Sequence, residues 1–138
     1  MLANMSEESR DIFGEELGII IDKAEPGQVI AHLSIADKHL NQHGTAHGGV
    51  IFTLADAVFA RASNIHGIPA VALDTSMTFI RAARSGETLY AYCQEAALRR
   101  RVAVYTVEIK SQDQLVALFR GTVFRIPPEG ETKAGTHN

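Results

Sequence analysis

Two hydrophobic rhythms divide this chain. From Gly18 it reads GIIIDKAEPGQVIAHLSI, two β-branched runs on either side of Pro26-Gly27, which predicts a hairpin turning at that pair. From Pro69 to Ile126 the pattern is again that of strands. Val71, Leu73, Met77 and Phe79 alternate, Ser85-Gly86-Glu87 turns, and Leu89 to Ala97 runs on to an arginine triplet. Val102 to Ile109 follows, Ser111 to Gln114 turns, and Leu115 to Ile126 closes. Between these two regions the rhythm changes. Gly48-Gly49 opens the stretch VIFTLADAVFARASNIHG, which stops at Gly67 ahead of Pro69. From Val50 to Ala60, nine of eleven residues are apolar and they occupy every side of a helical wheel, so the pattern predicts a helix buried all round. A hairpin, a buried helix and a meander of strands predict an α+β fold in which a curved antiparallel sheet wraps a long central helix.

The ends read differently. Ser6 to Phe13 can form a short helix with Ser6 as its cap, within an N-terminal segment of residues 1–16. One domain is expected over 17–127. The tail 128–138 lacks apolar periodicity and is expected to be disordered. A length of 138 residues with 46% apolar and 21% charged side chains suits one globular domain with its own core. The net charge of −3 argues against a nucleic-acid partner, since phosphate binding needs excess Lys and Arg. A single cysteine, Cys93, forms no internal disulfide and fits a reducing compartment. No stretch resembles a signal sequence or approaches the ~20 apolar residues of a membrane span. The expectation is a cytoplasmic protein without membrane contact.

Candidate chemistry centres on Asp56, the only acidic residue between Asp37 and Asp74. It can lie on a solvated stripe with Thr53, Ser63 and Asn64. Alternatively its wheel neighbours Phe52, Phe59 and Ala60 desolvate it, which raises a carboxyl pKa and suits it to base or nucleophile work.

The run Asn41-Gln42-His43-Gly44-Thr45-Ala46-His47-Gly48-Gly49, continued by Leu54-Ala55-Asp56, resembles the hotdog-fold thioesterases, most closely the phenylacetic-acid-degradation (PaaI-type) branch. Thr78-Phe79-Ile80-Arg81, Gly86-Glu87-Thr88-Leu89 and Leu118-Phe119-Arg120-Gly121 carry the same resemblance, which extends from Leu17 to Ile126. It implies hydrolysis of acyl-CoA thioesters, with aryl-acetyl groups such as phenylacetyl or hydroxyphenylacetyl favoured and medium-chain acyl groups behind. It implies that the Gly48 N–H polarises the thioester carbonyl, with Gly49 beside it in the substrate site. A helix N-terminus, with unpaired N–H groups and partial positive charge, is suited to that task. The acid matching Asp56 attacks the carbonyl or activates a water. Asn41 matches a polar position that can bond near the thioester, and His47 either contacts the acyl group or holds its loop. In some branches a Thr or Ser one turn after the acid orients it; here that position is Ala60. Coenzyme A enters as part of the substrate, and no separate cofactor is implied.

Spacing adds an inference of its own. Gly48 and Asp56 lie eight residues apart on one helix, or ~12 Å along its axis. A reacting carbonyl carbon must lie ~3 Å from both nucleophile and oxyanion donor. Two such helices packed antiparallel about a two-fold axis satisfy both, so a homodimer with shared sites is expected. The family resemblance implies the same dimer, often paired again into a homotetramer.

Other constellations weigh less. His39, His43 and His47 are spaced four apart, as zinc ligands on a helix would be, but Gly44 and Gly48 interrupt the segment and no metal is expected. No GxSxG elbow or glycine-rich phosphate loop occurs. Arg99-Arg100-Arg101 reads as a solvated turn or, through Arg100 and Arg101 together with Arg81 or Arg84, as a clamp for the phosphates of coenzyme A. A hotdog dehydratase or hydratase would want a positioned His beside its acid, and a non-catalytic acyl-CoA binding domain could dispense with Asp56. Thioester hydrolysis is the reading the residues favour.

Overall fold

The computed structural model describes residues 10–128. A short helix, α1 (Ile12–Leu17), leads into the hairpin β1 (Ile20–Glu25) and β2 (Gln28–Ser34), with Gly27 at φ +93° in the turn. A 3₁₀ turn (Asp37–His39) and a loop then reach the long helix α2 (Gly48–Asn64). Four strands follow: β3 (Ala70–Phe79), β4 (Thr88–Leu98), β5 (Val102–Ser111) and β6 (Gln114–Arg125). All six strands join in one sheet of order β1-β2-β4-β5-β6-β3, and every pairing is antiparallel. The sheet curves about α2, which lies against every one of its strands. The α+β hotdog plan expected from the sequence is the fold observed.

The β5–β6 turn places Gln112 and Asp113 at φ +50° and +68°, as a tight two-residue hairpin connection requires. No glycine signals it, yet Asp tolerates that region better than most residues.

The core sits between the inner sheet face and α2. Leu54, Val58 and Phe59 from the helix are sealed against Leu33, Leu89, Tyr105, Val107 and Ile109, each side chain contributing roughly 1.5–3 kcal/mol on burial. Phe59 packs edge-on against Tyr105 and Phe119, with ring centroids 5.9 and 5.3 Å away. That packing dictates Gly121 on β6, where a Cβ would meet the Phe59 ring at 2.6 Å. At that position the resemblance to the hotdog sequences has a steric cause.

Two expectations need correction. The N-terminal helix runs over Ile12–Leu17 with Asp11 as its cap, its side chain accepting from the Gly14 N–H, and Arg10 and Asp11 are not helical. Ser6 lies outside the described residues, as does the expected tail from residue 129. A Cβ at Gly14 would press on the Asp11 carboxylate, the movable end of that side chain, so Gly14 suits the cap without being required by it. The second correction concerns α2, which is not buried all round within one chain. Gly49 and Ala60 are exposed and Thr53 and Asp56 half-buried, so one stripe of the helix stays open. Apolar periodicity reports that a side is to be covered, and does not say whether its own chain covers it.

Candidate active site

The start of α2 is built around His47. As N-cap it accepts the Gly49 N–H on its Nδ1 at 2.8 Å, while its carbonyl takes the N–H of Val50 and Ile51 at 2.9 and 3.3 Å. Of the first helical N–H groups, that of Gly48 alone has no hydrogen-bond partner among the described residues. An N–H left over at the positive end of a helix is a donor for an incoming carbonyl oxygen. Gly48 itself is close-packed, since a Cβ there would lie 3.3 Å from the half-exposed ring of Phe79. His47, open between acyl contact and loop support in the sequence, spends Nδ1 on the cap, and its neutral ring then carries its proton on Nε2. Gly49, expected in the substrate site, has its N–H already engaged.

The preceding loop is closed by Asn41. Its Oδ1 accepts from the N–H groups of His43 and Thr45 at 2.9 and 3.2 Å and from the Thr45 hydroxyl at 3.3 Å. Its Nδ2 amide has no partner among the described residues. Leu40 bridges to Ala46, and the Ala46 N–H bonds to the Ala83 carbonyl, tying the loop to the β3–β4 connection.

Asp56 lies two turns along α2 on the open stripe, half-buried and with no side-chain hydrogen bond or ion pair among the described residues. Burial is the first cause that lifts its pKa above the ordinary carboxylate range, and the neighbouring charge of Asp11 at the cap of α1 adds to it. The desolvated reading is therefore nearer than the solvated stripe. Ser63, assigned to that stripe, is buried and bonded to the Ala60 carbonyl.

The arginines do not converge. Arg81 is held by Glu87, Gln114 and its neighbour's carbonyl at Ala82, and Glu87 is in turn lowered to about 2, first by Arg81 and then by Ser111. Arg84 is exposed nearby. Arg100 and Arg101 occupy the β4–β5 turn, at the other end of the eleven-residue strand β4, roughly 30 Å away at ~3.3 Å per residue. Within one chain the expected joint clamp does not form. The extended strand between the two arginine groups keeps them apart along one chain.

Of the three histidines at four-residue spacing, His39 is buried with both ring nitrogens bonded and His47 caps the helix. Three contributors escaped the sequence reading: His39, Asp11 beside Asp56, and Phe79 over Gly48. Each comes from an element remote in sequence or from a turn, where periodicity is silent.

No helix among the described residues is long and apolar enough to cross a membrane. The family model for the thioesterase superfamily matches residues 43–118. A putative esterase of Deinococcus radiodurans is 44% identical over 115 residues, covering 82% of this chain and 78% of its own. The acyl-coenzyme A thioesterase PaaI of Escherichia coli is 38% identical over 117 residues, covering 84% of each. The solved structure of that protein superposes with a TM-score of 0.84, covering 90% of this chain and 91% of its own at 36% identity. A Streptococcus mutans protein bound to acetyl CoA gives a TM-score of 0.76 at 33% identity, covering 79% and 89%. This chain belongs to the thioesterase superfamily, with the hotdog architecture of its PaaI-type members.

Proposed function

We propose that the protein hydrolyses acyl-CoA thioesters to the free acid and coenzyme A, using Asp56 and the Gly48 N–H. The observation that carries this reading is the pairing, on one helix, of an unclaimed N–H at the first turn with a desolvated carboxylate two turns on. The Gly48 N–H donates to the carbonyl oxygen and gains strength as charge builds there in the tetrahedral intermediate. Asp56 supplies the attack, either through a water whose proton it takes, giving the acid in one step, or directly, forming an Asp56 anhydride that a water then hydrolyses to the free acid and the regenerated carboxylate. The thiolate of coenzyme A leaves, and no cofactor beyond the substrate's own coenzyme A is called for.

The ~12 Å between the two groups excludes their joint action within one chain. The proposed unit is a homodimer in which Gly48 of one subunit faces Asp56 of the other, giving two sites. The open stripe of α2 and the apolar edge at β3 are the surfaces such a partner would cover. Pairing of dimers into a tetramer is part of the proposal: on the outer sheet face, Tyr92 and Leu118 lie beside Glu108 and Arg120, whose opposite charges suit a two-fold contact. Aryl-acetyl groups are the favoured acyl class, by likeness to PaaI of Escherichia coli, with medium-chain acyl groups second. Asn41 Nδ2 and the His47 Nε2–H are the remaining donors at the thioester. The coenzyme A phosphates go to Arg81 and Arg84 or to Arg100 and Arg101, read by whether neutralising one pair raises KM for acyl-CoA more than for acyl-pantetheine. A reducing compartment such as the cytoplasm suits the buried, unpaired Cys93.

A panel of acyl-CoA substrates with thiol release as the readout tests the reading. Asp56→Asn is expected to lower kcat ~100-fold or more while the fold survives. A folded Asp56→Asn protein with near-normal turnover would remove Asp56 from the mechanism.

A further inference from the structure

His39 lies in neither the glycine motif nor the helix, yet it is 2% exposed and spends three separate groups on three different segments. Its Nδ1 accepts the Ala36 N–H at 2.9 Å, which closes the 3₁₀ turn on itself. Its Nε2 stands 2.8 Å from the Leu17 carbonyl, an acceptor only, so Nε2 carries the proton and donates to the last residue of α1. The ring is thereby fixed as one neutral tautomer. Its own carbonyl accepts the His47 N–H at 2.8 Å. His47 is the residue whose side chain and carbonyl consume the Gly49, Val50 and Ile51 N–H groups and leave that of Gly48 unclaimed.

We propose that His39 is a positioning residue for the reaction, its hydrogen bonds to Ala36, Leu17 and His47 holding the backbone that presents the Gly48 N–H to the thioester carbonyl. The inference rests on the hydrolytic reading above and adds to it a residue that touches no substrate. The logic is mechanical. A cap residue anchored only by its own helix can tilt with the loop before it. Here the cap's N–H is fastened to a turn that is itself locked through a buried ring. A displacement of about 1 Å at a reacting group can cost on the order of 100-fold in rate, so small loosening suffices. The bond to Leu17 also fixes the C-terminal end of α1, whose capping Asp11 bears on Asp56. One side chain thus steadies both halves of the machinery.

Two conservative replacements separate its bonds. His39→Asn places an amide oxygen where Nδ1 was and keeps the acceptor for the Ala36 N–H. Gln reaches the Nε2 position and keeps the donor to Leu17, but leaves the Ala36 N–H unpaired. His39→Ala is expected to lower kcat roughly 10- to 100-fold with KM within about two-fold, as for lost transition-state alignment. His39→Asn should recover most of that kcat, and His39→Gln should recover less. If His39→Ala does not fold, as judged by circular dichroism and sizing, the comparison of Asn with Gln at matched foldedness decides. A Gln variant as active as the Asn variant, or losses that fall on KM alone, overturns the proposal. Amide exchange at His47 supplies a readout without substrate: protection should drop in the Ala and Gln variants and persist in the Asn variant. Unchanged protection overturns the proposal even if acyl-CoA is hydrolysed. A wild-type protein that hydrolyses none would sink the function while leaving the exchange result to judge His39.

Discussion

The two edges of the sheet are built on opposite principles. β1 is six residues long and carries Asp22, Lys23 and Glu25, with Lys23 and Glu25 paired at 3.5 Å and Asp22 on His32 at 2.7 Å. β3 is ten residues long and exposes Val71, Leu73 and Phe79, with Ile80 just beyond its end and Asp74 its only charge. Both strands have a register shift, at Ile21/Lys23 and Ala72/Asp74, so irregularity is not what separates them. Charge is. An edge studded with ionic side chains repels further strands, whereas a long apolar edge invites one. The open stripe of α2 faces outward from the same chain, bearing Asp56. The contrast teaches that one edge is guarded by charge while the other is left apolar and open, which is where the proposed dimer would place its second copy.

A charge placed on the apolar edge is the severest way to break that contrast. Leu73→Lys should weaken self-association on the order of 100-fold or more, because the ammonium must be buried or the contact abandoned. Activity per chain should fall in step and recover partly at high protein concentration. The matched change on the other edge, Ile20→Lys, should alter stability by no more than about 0.5 kcal/mol and leave sizing and turnover alone. Sedimentation and turnover on both variants make the check, and equal effects at the two edges would erase the distinction.

A milder intervention sharpens the electrostatics beside the open stripe. In the proposed mechanism Asp56 acts ionised, and its pKa is raised, by burial first and then by Asp11, so the acid limb of kcat/KM is expected above the ordinary carboxylate value. Asp11→Asn keeps an oxygen to cap α1 but removes the charge, so the limb should move to lower pH. Added salt should shrink the difference between the two proteins, because Asp11 is exposed. A limb that stays in place, or moves up, contradicts the assigned neighbour.

The smallest effect is on stability. A carboxyl whose folded pKa is raised favours the folded state when neutral and loses that advantage as pH climbs through its folded value. Asp56→Asn cannot ionise, so it should melt above wild type at neutral pH. The gap should close below the ordinary carboxylate range. A melting series across pH reads it directly.

Much of the fold was legible in the chain because its signals are local. Pro26-Gly27 marks the first hairpin, the strand runs end within a residue or two of their observed limits, and the all-round apolar pattern of Val50 to Ala60 identifies the helix the sheet wraps. The same pattern overstated burial within one chain, since it does not distinguish a core from an interface. Among the described residues the N-terminal helix starts at Ile12 and not through Arg10 and Asp11, because the Asp11 side chain caps it; Ser6 lies outside the described residues. In the site, Gly48 and Asp56 stand on the helix as expected. Within one chain the length of β4 keeps Arg100 and Arg101 apart from Arg81 and Arg84, a separation that spacing along the sequence does not announce. His39 was invisible as a support because its partners Leu17 and Ala36 bond through backbone atoms, which no residue type announces.

The central claim is that each site draws on two chains, and mixing two inactive parents tests it most directly. One parent carries Asp56→Ala; the other carries Gly48→Pro, which removes the donor N–H. Circular dichroism and sizing first establish that both fold and dimerise. In a mixed dimer one site combines both defects, while the other joins an intact Gly48 to an intact Asp56. About half of randomly reassembled dimers are mixed and each has one good site of two. Co-refolding should therefore restore activity approaching a quarter of wild type. Mixed dimers demonstrated by mass tags yet recovering no activity would contradict the shared site.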